Sequence, residues 1–153
     1  MTGPIRETVT VPVAVDRAFE HFVRHLGTWW PREYTWSQDV LEEIGVEPRK
    51  DGRCYEIGPH GFRCDWGRIV AWDPPHRLVF LWQIGPDRTP QPDPARASEV
   101  DVRFVETGTD ATRVELEHRD FGRHGRDSDA YRDGLAAPQG WPYILERFTG
   151  SVQ

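Results

Sequence analysis

The stretch Trp66-Gly67-Arg68-Ile69-Val70-Ala71-Trp72-Asp73-Pro74-Pro75-His76-Arg77-Leu78-Val79-Phe80-Leu81-Trp82 constrains the fold more than any other. Proline cannot donate to a strand ladder, so Pro74 and Pro75 belong in a connection. The β-branched and aromatic runs on either side favour a pleated, half-buried surface. The segment therefore reads as two antiparallel strands joined by an Asp-Pro-Pro turn. It also sets several indoles in or beside a sheet, where they either fill a core or line a pocket.

The rest of the chain extends this pattern. Ile5 to Val11 alternates as a first strand, and Pro12 ends it. Asp16 is the expected N-cap of a helix carrying Ala18, Phe19, Phe22, Val23 and Leu26, with Gly27 as its stop. Trp29-Trp30-Pro31 opens a short segment of one or two helical turns, to about Trp36. Strands are expected at Val40–Glu47 and Arg53–Ile57, at either side of the Asp-Pro-Pro turn, and at Ser98–Val105 and Thr112–His118. The last two alternate cleanly, with Val100, Val102, Phe104, Val114, Leu116 and His118 on one face. Gly85 to Ala95 holds four prolines and reads as a long exposed loop. Phe121 to Arg132 reads as a polar connection, with Gly122–Arg126 solvated. Trp141, Ile144, Leu145 and Phe148 form the apolar stripe of a closing helix over Gly140–Val152, with Pro142 in its first turn.

A length of 153 residues suits one domain, spanning 1–153. A chain of this size buries roughly 68–70% of its unfolded surface and needs no disulfide or metal to fold. The charge is −6, from 25 acidic and 19 basic residues, and Lys50 is the single lysine. An acidic chain without a basic cluster is a poor partner for nucleic acid. No apolar run reaches the length of a membrane span. Met1 to Arg6 shows no charged segment leading into an apolar one, so the expected compartment is the cytoplasm.

The order of elements and the residues that mark it resemble the START-like (SRPBCC) superfamily, which has the helix-grip fold. More narrowly the chain is similar to the bacterial branch related to the activator of Hsp90 ATPase C-terminal domain. The resemblance rests on Val11-Pro12-Val13 leading into Ala18-Phe19 and Trp29-Trp30-Pro31. It rests also on Asp51-Gly52-Arg53 with Tyr55-Glu56, on Trp66-Gly67-Arg68-Ile69-Val70, and on Pro74-Pro75-His76-Arg77-Leu78-Val79-Phe80 with Trp82. Thr112-Arg113-Val114-Glu115-Leu116-Glu117-His118 and the closing Gly140-Trp141 helix complete it. The resemblance implies an α+β fold. A curved antiparallel sheet of about seven strands wraps a C-terminal helix, with two short helices between strands one and two. It also implies a cavity between sheet and helix that holds small apolar molecules. The closing helix is short for such a fold, which implies a less complete lid.

Three functions follow as expectations. The first is a module holding a small apolar or aromatic molecule. Its wall would come from Trp29, Trp30, Trp36, Tyr55, Trp66, Phe80, Trp82, Val102, Phe104, Leu116, His118, Trp141, Leu145 and Phe148. The second is a cyclase or dehydratase using the same cavity. His118 would be its acid or base, because histidine titrates near neutrality, and Glu56 its assistant. The third is a chaperone-partner or other protein-interaction module, and a homodimer is compatible with all three. No cofactor and no metal is expected. Cys54, His60 and Cys64 match none of the paired spacings of structural zinc sites and read as ordinary strand residues. There is no nucleophile elbow and no phosphate-binding glycine loop.

Overall fold

The computed structural model describes residues 3–152, leaving Met1, Thr2 and Gln153 outside. Seven strands form one antiparallel sheet: β1 (Ile5–Val11), β2 (Glu43–Val46), β3 (Arg53–Ile57), β4 (Arg63–Asp73), β5 (Arg77–Trp82), β6 (Ser98–Gly108) and β7 (Ala111–Arg119). Their spatial order is β1-β7-β6-β5-β4-β3-β2, so β5 is the central strand. The helices are α1 (Val15–Arg24), α2 (Leu26–Trp29), α3 (Ser128–Ala136) and α4 (Trp141–Ser151). The sheet curls around α4 in the helix-grip arrangement that the family resemblance implied.

The strands form where the alternation requires. β7 alternates half-buried and buried residues along its whole length, with Thr112, Val114, Leu116 and His118 inside. β5 departs from alternation. Val79 and Leu81 are buried as well as Leu78, Phe80 and Trp82, as befits a central strand covered on both faces. Its outer neighbours are ionic. Asp101 on β6 is buried and accepts two hydrogen bonds from Arg77, at 3.0 and 2.8 Å, and one from Arg119 at 2.8 Å. Those guanidinium groups hold its carboxyl down at about 2 against the opposing effect of burial.

β4 places its indoles by two irregularities. Trp66, Ile69 and Trp72 are spaced by three, which in a regular strand would alternate faces. The pairing with β3 steps from Cys54↔Gly67 to Tyr55↔Asp65, so Trp66 is an extra residue. The pairing with β5 steps from Ile69↔Phe80 to Ala71↔Val79, so Val70 is another. Each bulge flips the face that follows and bends the strand. As a result Trp66 meets Trp82, Ile69 is fully buried, and Trp72 meets Phe19 of α1.

Some boundaries differ from the sequence reading. Asp16 is not the N-cap of α1. Ala14 holds that position, and Asp16 instead accepts from the Arg17 backbone N–H in the first turn. Nor does Gly27 end the helix. His25 is the C-cap, and Gly27 lies inside α2, where a Cβ would stand 3.0 Å from the Ile44 carbonyl oxygen. That close approach of α2 to β2 is its reason for being glycine. β2 is shorter than expected because a 3-10 turn occupies Gln38–Val40. The largest difference is α3, which lies within and beyond the stretch read as a polar connection. Within that stretch Phe121 is buried, and so is His124, which lies in the part expected to be solvated.

Candidate functional site

A cavity of about 790 Å³ opens at one end of the space between sheet and helices. Ligand sites commonly have this size. Its inner wall is indole. Trp30 at the end of α2 lies tilted on Trp66 of β4, with ring centroids 5.2 Å apart, and Trp82 of β5 stands 5.9 Å from Trp66. Three chain segments frame the mouth. They are the strap from Glu33 to Gln38, the loop at Pro86–Arg88, and the α3 face carrying Asp127, Ala130, Tyr131, Gly134 and Leu135.

The polar groups of the site fix these segments to one another. Tyr131 accepts a hydrogen bond from the Trp82 indole N–H at 2.7 Å and donates to the Ile84 carbonyl at 2.8 Å. Burial raises its hydroxyl to about 12, so it stays a phenol. Trp36, at the mouth, donates its indole N–H to the Arg88 carbonyl at 2.8 Å. Glu56 of β3 is fully buried and accepts from the backbone N–H groups of Trp36 and Ser37, at 3.1 and 2.7 Å. Its charge adds to the burial that raises the Cys64 thiol, which pairs opposite it, to about 11. The Trp66 indole N–H is different: it is buried and has no hydrogen-bond partner among the described residues.

Of the residues expected in the wall, Trp30, Trp36, Trp66 and Trp82 line this cavity, and so does Glu56. The others lie elsewhere. Trp29, Phe104 and Phe148 pack with Phe19 and Phe22 of α1 into a closed aromatic cluster, with ring centroids about 5 to 6 Å apart. Phe80, Val102, Leu116 and Leu145 are buried core residues outside the cavity lining. Tyr55 faces away from the cavity, hydrogen-bonding Glu43 and stacking under the Arg63 guanidinium at 4.9 Å.

His118 and Trp141 also lie outside the lining, in a buried polar chain. Indole nitrogen only donates, so Trp141 Nε1–H, 2.9 Å from His118 Nδ1, makes that nitrogen an acceptor. The proton of His118 is therefore on Nε2, which donates to Ser98 Oγ at 2.7 Å. Ser98 in turn donates to His124 Nε2, also at 2.7 Å. Burial, and to a lesser degree His124, pushes the His118 pKa well below its ordinary value. Glu56 and His118 hold separate sets of partners. The pairing expected for acid–base work is absent among the described residues, because each side chain is engaged by its own neighbours.

Sequence reasoning missed the α3 side of the site. Tyr131 and Leu135 are four apart, and Pro138 follows the helix end, which together are a helix signal. The local density of Asp, Arg and Gly obscured it. Among the described residues no group of three His, Cys, Asp or Glu side chains is placed to hold a metal. No helix there is long and apolar enough to cross a membrane.

A family model for activator of Hsp90 ATPase homolog 1-like proteins matches residues 14–153. The chain belongs to that family. Among solved structures it is similar to the anthrahydroquino-gamma-pyrone synthase Txn09, at 36% identity with a TM-score of 0.69, covering 97% of this chain and 96% of that one. It is similar also to CalC, a self-sacrificing resistance protein from Micromonospora echinospora, at 33% identity and a TM-score of 0.69, covering 97% and 93%. Protein Ms6760 from Mycobacterium smegmatis, 20% identical with a TM-score of 0.65 over 99% of this chain and 91% of that one, shares the fold alone. No curated protein matches the sequence. Family membership accounts for the sheet and the gripped helix; the cavity's particular lining belongs to this chain's own residues.

Proposed function

We propose that this protein binds a flat, largely apolar aromatic molecule in the cavity between the sheet and the helices α3 and α4. The observation that carries the reading is the open wall of Trp30, Trp66 and Trp82 in an otherwise close-packed interior. Indoles that merely filled a core would leave no such volume.

The test uses Nile red, a neutral flat fluorophore, with the Gly134→Leu variant. Gly134 lines the cavity from α3, and a Cβ there meets nothing within 4 Å. The larger side chain has room to enter the cavity, and it removes a helical glycine at no packing cost. Saturable binding by the native protein, lost in a fully folded Gly134→Leu, supports the reading. Equal binding by both proteins, or none by either, overturns it.

A second reading, a cyclase-type enzyme, is favoured by the synthase Txn09 at 36% identity over nearly the whole chain. In that reading the proton acceptor is Glu56, the carboxylate within the wall, rather than His118. A Glu56→Gln variant that still binds an aromatic substrate but does not turn it over is the expected outcome. Unchanged turnover would remove Glu56 from the reaction.

A further inference from the structure

The charges around the cavity are one-sided. Glu33, Asp87 and Asp127 stand at the mouth, Glu56 lies in the wall, and Arg88 is the single basic side chain among the described lining residues. Arg88 donates to the Tyr34 carbonyl, so it is held at the rim by the strap. Arg147 lies near enough to Glu33 to act on it, yet its own hydrogen bond goes to the Trp29 carbonyl. Glu56 is the decisive group. It is fully buried, and its partners are two neutral backbone N–H groups; among the described residues it makes no ion pair. Its two oxygens accept from main-chain groups alone, so a positive group entering the cavity meets no competing cation on it. The neighbouring indoles point the same way, because the face of an aromatic ring attracts cations.

We propose that the occupant is an organic cation, an aromatic body held by Trp30, Trp66 and Trp82 that carries a protonated amine held toward the carboxylates of the wall and mouth. This rests on the cavity reading and adds the charge class of the ligand. Glu33 and Asp87 are both kept anionic by local hydrogen bonds, from Tyr143 and from Thr89, so the mouth keeps its negative charge across the neutral range. The net charge of −6 extends the attraction beyond the cavity and steers a cation toward it.

The experiment compares three probes of the same size by calorimetry: naphthalen-1-ylmethylammonium, naphthalen-1-ylmethanol and 1-naphthoate. The ammonium is expected to bind about tenfold more tightly than the alcohol, and the carboxylate most weakly. Raising the salt narrows the gap, because the mouth carboxylates are exposed to solvent. The double variant Glu33→Gln/Asp87→Asn narrows it several-fold. Three affinities within twofold of one another, or a preference for the carboxylate, overturn the charge proposal while leaving the cavity reading intact. No binding by any of the three overturns both.

Discussion

Trp29 and Trp30 are adjacent in sequence and in ring contact at 5.8 Å, yet they look into different parts of the interior. Trp29 turns into the closed cluster of Phe19, Phe22, Phe104 and Phe148 and is fully buried. Trp30 turns into the open end, onto Trp66 and near Trp82 and Trp141. At the closed end each ring is packed edge-on or tilted against several others, an arrangement that stabilises beyond simple burial. At the open end one indole N–H is unmet and rings face a void. The same residue type therefore fills a closed cluster in one place and lines a cavity in the other. The polar chain through His118 lies in the wall of neither, pinning β6 and β7 to α4.

The comparison breaks first, if it is wrong, at Phe148. Phe148→Ala should cost about 3–5 kcal/mol in a denaturant titration, because a large ring is removed from a closed cluster. The affinity of the surviving folded fraction for Nile red should not change. A loss under about 1 kcal/mol would mean that the closed end is not close-packed.

Ser98→Ala ranks next. It strips His118 Nε2–H of its acceptor and His124 Nε2 of its donor, at an expected cost of about 2 kcal/mol. The pH dependence of stability reports on the same chain. Both histidines have folded pKa values lowered by burial, while the unfolded chain titrates near the ordinary histidine value. On acidification below about 6.5 the unfolded state binds protons that the native state refuses. Stability should therefore be full above that pH and fall as pH drops toward 5, by up to about 1.4 kcal/mol per pH unit for each group. A His118→Phe variant should show a shallower fall. An unchanged slope would take His118 out of the account.

At the open end the stability effects should be smaller and the binding effects larger. Trp30→Ala should cost less than Phe148→Ala, since Trp30 lines the cavity and is 7% exposed whereas Phe148 is fully buried. It should nevertheless remove most Nile red binding. Smallest of all is Trp36→Phe. It deletes one hydrogen bond between the strap and the Arg88 carbonyl, worth about 0.5–1.5 kcal/mol, and should speed release of a bound probe in stopped-flow measurements. Equal losses of stability at Trp30 and Phe148 would erase the distinction between the two ends.

Much of this architecture was legible because it depends on local rules. β1 and β3 run as the alternation and turn signals indicated, and the closing helix follows its apolar stripe. The α3 face was hidden because its polar residues mimic a loop. The indoles of the wall were legible only as a set. Whether a given ring fills or lines depends on bulges at Trp66 and Val70 and on the turn between α1 and α2, which aim side chains without leaving a periodic trace.

Composition, alternation and the proline turn by themselves determined an acidic chain of antiparallel strands with an amphipathic closing helix, and the family resemblance implied that the sheet curves around that helix. They also placed His118 on the apolar face. Tertiary structure alone decided that His118 is locked between Trp141 and Ser98, and that Glu56 lies in a cavity wall without an ion-pair partner among the described residues. It alone decided which tryptophans line the cavity. The physical reason is range. Strand and helix patterns are set by neighbours along the chain, whereas partners such as Trp141 and His118, 23 residues apart, meet only once the sheet has closed on the helix.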